Sequence, residues 1–129
     1  MFYKFEELIE HIMITNGNGS VVFTIGKMFY VTDAFGQNLK SFVLDAKIVL
    51  WKNALNTKKE DFVLFIDDKF NLGVIPVDEP EKKMVIKKHM FCALALGYSN
   101  GYVCVVQCDG NLEMIPMDLD NIESSPSSE

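Results

Sequence analysis

Arginine is absent from this chain, and all twelve basic residues are lysine. The planar guanidinium fork that reads guanine and clamps phosphate is therefore missing. Nucleic acid is not an expected partner, and Lys82, Lys83, Lys87 and Lys88 read as a solvated face. Histidine and cysteine are scarce, at two and three. A four-ligand zinc site would have to draw on His11, His89, Cys92, Cys104 and Cys108, none at finger-like spacing. An odd cysteine count with no signal peptide points to reduced thiols and a cytoplasmic, intracellular location. No apolar run approaches the roughly 20 residues of a membrane span, and neither a GxGxxG turn nor a P-loop appears. No motif identifies a family, and no cofactor or metal is expected.

Aliphatic and aromatic residues are plentiful. Hydrophobic residues make up 49% of the chain, with ten Phe and seven Met, enough to fill a core and leave apolar surface for a partner. The net charge of −6 is concentrated at one end. Asp118, Asp120, Glu123 and Glu129 are four of the eighteen carboxylates, so the remainder of the chain is nearly balanced. Residues 119–129, acidic, serine-rich and poor in apolar side chains, are expected to form a disordered tail.

The strongest internal signal is a gapless repeat forty positions apart, residues 61–78 (DFVLFIDDKFNLGVIPVD) and 101–118 (GYVCVVQCDGNLEMIPMD). Val63/Val103, Asn71/Asn111, Leu72/Leu112, Ile75/Ile115, Pro76/Pro116 and Asp78/Asp118 are identical. Spacing of this size usually marks one supersecondary unit used again. Both copies read as β-hairpins, the second turning through Asp109-Gly110 and the first through Asp67-Asp68-Lys69, which lacks a glycine. Val21–Ile25 and Met28–Thr32 flank Gly26-Lys27 as a third hairpin.

Helices are expected between the hairpins. Leu44, Ile48, Trp51 and Leu55 recur at i, i+4, i+7 and i+11, which predicts a helix over residues 39–55 with Asn38 as N-cap. Residues 80–97 open with proline and close with glycine, the asymmetry of a helix, and this reading is preferred to a strand over Met84–Leu96. Residues 2–14 give a third helix with Phe5, Leu8, Ile9, Ile12 and Met13 on one face. The expected fold is α+β: a single two-layer domain over residues 1–118, three αββ units whose largely antiparallel sheet carries its helices on one face.

Chemistry is sparse. His89 and Cys92 would be adjacent on a helix, a conceivable Cys/His pair, but Cys92 sits in an apolar stretch and, like Trp51, is expected in the core. Asp67, Asp68, Asp78, Glu79 and Glu81 could hold a cation or act as acid and base, yet all suit turns or a helix start. The expected function is therefore a non-catalytic protein-binding module, an inhibitor, chaperone, adaptor or immunity-type protein working by stoichiometric association with another protein or as a homodimer. The alternative is a small enzyme or ligand-binding protein. The first hairpin lacks proline and inward charge, so Val21, Phe23, Phe29 and Tyr30 are the expected partner-binding residues.

Overall fold

A computed structural model describes residues 3–122 of the chain. Eleven strands form three antiparallel meanders. The first sheet holds β1 (His11–Ile14), β2 (Val21–Ile25), β3 (Met28–Val31) and β4 (Lys40–Val43). The second holds β5 (Ile48–Leu55), β6 (Asp61–Asp67), β7 (Leu72–Pro76) and β8 (Met84–Lys87). The third holds β9 (Ala93–Ser99), β10 (Tyr102–Gln107) and β11 (Leu112–Pro116). In each sheet the strands pair in chain order.

The α+β expectation is thereby corrected. Among the described residues the only helical pieces are two 3-10 turns, Pro80–Lys82 and Leu119–Asn121. Residues 39–55 become β4, a short turn and β5, and residues 80–97 become one 3-10 turn, β8 and most of β9. Residues 3–10 are irregular and lead into β1, while residues 1 and 2 lie outside the described residues. Asn38 caps no helix; its backbone is left-handed (φ 58°) and its amide donates to Asp33.

Burial explains why the periodicity misled. The second sheet lies between the other two and is covered on both faces. Leu50, Ala54, Phe62, Leu64, Ile66, Leu72 and Val74 share a core with the third sheet's Val103 and Val105. Trp51, Val63, Phe65 and Ile75 share another with the first sheet's Val22, Phe29 and Val31. A strand covered on both faces is apolar at consecutive positions rather than alternate ones, so any apolar subset can fall at helical spacing by chance. Ile48-Val49-Leu50-Trp51, rich in β-branched and bulky side chains, suits a pleated surface better than a helix.

The repeated stretches both form hairpins, with pairings forty positions apart. Phe62 faces Pro76 and Val63 faces Ile75, as Tyr102 faces Pro116 and Val103 faces Ile115. Their turns match: the N–H groups of Asp67 and Phe70 donate to Asn71 O and Asp67 O, and those of Gln107 and Gly110 to Asn111 O and Gln107 O. The left-handed fourth position is Phe70 (φ 65°) in one copy and Gly110 (φ 89°) in the other. What holds the turn lacking glycine is Asp67, whose Oδ1 accepts from the N–H groups of Lys69 and Asn71, both at 3.0 Å. Asn56 does the same for Lys58 and Glu60, and Asp33 for Phe35 and Gln37. Three turns thus share one side-chain device.

Of residues 119–129, assigned above to the tail, 119–122 are described, and residues 123–129 lie outside the described residues. Leu119 and Ile122 are buried in the core between the second and third sheets. Asp120 accepts from the N–H and hydroxyl of Thr57, and the Tyr98 hydroxyl donates to Met117 O.

At Gly73 two strands meet an aromatic ring. A Cβ there would lie 2.4 Å from Phe65 Cζ and 2.8 Å from the carbonyl oxygen of Met84. Phe65 is packed against the first sheet and cannot retreat. Gly73→Ala is expected to destabilise the protein by about 1–3 kcal/mol in urea unfolding, with part of the loss recovered in the Gly73→Ala/Phe65→Leu double variant.

Candidate functional site

The sequence-derived candidates scatter. Val21, Phe23, Phe29 and Tyr30 lie on β2 and β3, the two inner strands of the first sheet, each hydrogen-bonded on both sides. Phe29 points inward and is completely buried in the core against the second sheet. Phe23 and Tyr30 lie on the opposite, outer face with rings stacked 4.9 Å apart, and Phe5 packs on both from the irregular segment before β1. Val21 is half-buried.

The cysteines and His89 do not form a nucleophile and base. Cys92 is exposed rather than in the core, and Trp51 is half-buried. Cys92 lies opposite Cys108, whose N–H donates to Cys92 O at 2.7 Å. The Cys92 thiol is held protonated by donating a hydrogen bond to the Cys108 side chain and by the charge that second thiol can carry; both raise its pKa and so suppress the nucleophilic thiolate. The His89 ring packs beside Phe91 instead of the thiol.

Of the candidate carboxylates, Asp67 and Glu79 are engaged locally. Asp67 holds its turn, and Asp61, almost completely buried, accepts from the N–H groups of Gly17 and Asn18 at 2.7 and 2.8 Å. Hydrogen bonds from Gln37 N–H, then from the Asn38 amide and Phe35 N–H, hold the Asp33 carboxyl below the usual range against a smaller desolvation effect. A cleft of about 440 Å³ is lined by Glu60, Asp78, Glu79, Lys82 and Asp120 among others. Glu60 accepts from Asn56, Glu79 pairs with Lys82 at 3.2 Å, and Asp120 is bound to Thr57. Among the described residues no three His, Cys, Asp or Glu side chains are grouped to hold a metal ion, and no helix is long and apolar enough to cross a membrane.

The feature without a local explanation is the outer face of the third sheet. β10 alternates: Val103 and Val105 point to the second sheet, while Tyr102, Cys104 and Val106 point away. Pairing carries that alternation across to Met114 and Leu112 on β11 and to Gly97 and Ala95 on β9. This face has no charged side chain at its centre, and Leu112, Met114, Val106 and Tyr102 are 61, 47, 43 and 42% exposed. Sequence reasoning missed it because the segment before β10 was assigned to a helix, which left the hairpin no third strand and no defined outer side. The alternation of exposed Tyr102, Cys104 and Val106 with buried Val103 and Val105 was present but symmetric; nothing local marks which side a neighbour covers.

No protein-family model matches the chain, and no curated protein is similar to it. The site therefore has to be read from its own physical chemistry.

Proposed function

We propose that this protein is a non-catalytic binding module that associates stoichiometrically with another protein through the outer face of its third sheet. The carrying observation is the contiguous apolar surface of Tyr102, Val106, Leu112 and Met114, with Cys104 among them. Apolar side chains scattered singly are ordinary on a protein surface, but a contiguous sheet face of them is the usual mark of an interaction site. Tyr102 supplies a large, stiff contact with a polar tip, and Met114 an adaptable one. The engagement of Asp67 in a turn and of Glu79 in an ion pair supports a binding role over acid–base chemistry.

Met114→Lys tests the assignment. The side chain is half exposed, so the variant should fold with an unchanged circular dichroism spectrum. Wild type and variant are immobilised side by side in extract from the source cells. A protein retained by the wild type in near-equimolar amount and lost with Met114→Lys is the expected result, self-association included. Equal capture by both, or association with nothing, ends the proposal.

A further inference from the structure

The two terminal faces of this three-sheet stack are the same pair of faces that the stack already uses internally. Toward the second sheet, the first sheet presents Val22 and Val31, and the second answers with Val63 and Phe65. Toward the third sheet, the second presents Phe62, Leu64 and Ile66, and the third answers with Val103 and Val105. Under the forty-residue spacing, Val22 corresponds to Phe62, while Val63 and Phe65 correspond to Val103 and Val105. The same parity runs through both junctions. The next pair in the series is the third sheet's Tyr102, Cys104 and Val106, which are uncovered, against a following sheet's equivalents of Phe23 and Ile25. Phe23 and Ile25 lie on the outer face of the first sheet, each 5% exposed with Phe5 packed on Phe23, so a following sheet would meet this face through Phe5 and the uncovered Ile12, Ile14 and Val43.

We infer that this surface receives the first sheet of a second copy of the chain, and that two copies close head to tail into a ring of six sheets. The inference rests on the binding role proposed for the third sheet's face and names its occupant. Three observations favour closure. The first strand of each sheet gathers toward one axis: the rings of His11 (β1) and Trp51 (β5) are 5.5 Å apart, His11 Nε2 is 3.0 Å from Ile48 O, and β9 lies against β5. The connections from each sheet to the next are only residues 44–47 and 88–92, so each meander stacks directly on the preceding one. Radial arrays of antiparallel meanders close with about four to eight sheets, a range that includes six and not three.

Area favours the same arrangement over a two-fold contact of third sheet on third sheet. A three-stranded face about 15 Å wide and 20 Å long offers about 300 Å² of projected area, small beside the roughly 800 Å² per partner of a stable complex. A head-to-tail ring uses both terminal faces of every copy. The receiving face of the first sheet has uncovered apolar ground beside Phe5, in Ile12, Ile14 and Val43.

The test uses the whole chain, light scattering on purified protein, and two charge variants on different sheets. The wild type should weigh twice the 14.6 kDa chain mass. Ile12→Glu on the first sheet and Met114→Lys on the third should each weaken the dimer by about a hundredfold or more, since each buries an uncompensated charge. Mixing the two variants should restore a dimer, because one junction is then entirely wild type and both introduced charges, of opposite sign, fall in the other. An Ile12→Glu protein that stays fully dimeric overturns the head-to-tail arrangement, as does a mass that grows with concentration without a limit at two chains. A monomeric wild type that still captures an extract protein through the Met114 face overturns this inference and leaves the binding proposal standing. A monomer that captures nothing removes both.

Discussion

Asp61→Ala is expected to cost about 2–4 kcal/mol in urea unfolding, out of a total that for domains of this kind is about 5–15 kcal/mol. The Asp61 carboxylate, 2% exposed at the start of β6, is the acceptor for two consecutive backbone N–H groups, those of Gly17 and Asn18, and sits 3.4 Å from the Asn53 amide. Alanine removes the carboxylate acceptor of two part-buried N–H bonds, and a hydrogen bond to a charged group is worth about 1.5–3 kcal/mol. The loop is held tightly there: a Cβ on Gly17 would lie 2.6 Å from Lys59 O. Asp61→Asn keeps one acceptor oxygen and should recover part of the loss. A change below about 0.5 kcal/mol for Asp61→Ala would mean that the β1–β2 loop is not anchored through this residue.

Leu64→Ala should be at least as damaging, about 3–4 kcal/mol. Leu64 is completely buried in β6, an inner strand of the central sheet, packed in the core with Val74, Val103 and Val105. Its removal empties volume between two sheets that are held on both sides, so collapse can recover little of it. Leu112→Ala, on the uncovered face, supplies the contrast: within a single chain it should change unfolding by less than about 0.5 kcal/mol, while weakening association. Chemical denaturation of both variants at low protein concentration separates the two roles. Equal effects would mean that Leu64 and Leu112 occupy similar environments.

The hairpins were legible because their information is local. Asp109-Gly110 supplies a left-handed turn position, Pro76 and Pro116 end the return strands, and the forty-residue spacing aligns the two units before any tertiary contact is known. The turn at residues 67–71 was harder to see. Phe70 adopts a left-handed backbone without being glycine, and what makes that tolerable is the pair of hydrogen bonds accepted by Asp67. Cys92, expected in the core, is exposed because the apolar run around it is the open end of a third sheet rather than the inner face of a helix.

The amino-acid sequence by itself determined where the chain turns, which segments are long enough to be elements, and that neither an arginine fork nor a phosphate loop is available for chemistry. What only the tertiary structure decided is the identity of the segments between the hairpins and the side each strand shows to solvent. Trp51 and Leu50 are neighbours in sequence, yet one packs toward the first sheet and the other toward the third. A strand sandwiched on both faces loses the alternation that distinguishes it from a helix, because the second face is covered by residues some forty positions away. The same long-range stacking leaves Tyr102, Val106, Leu112 and Met114 uncovered, since within the described chain no fourth sheet follows to lie on them.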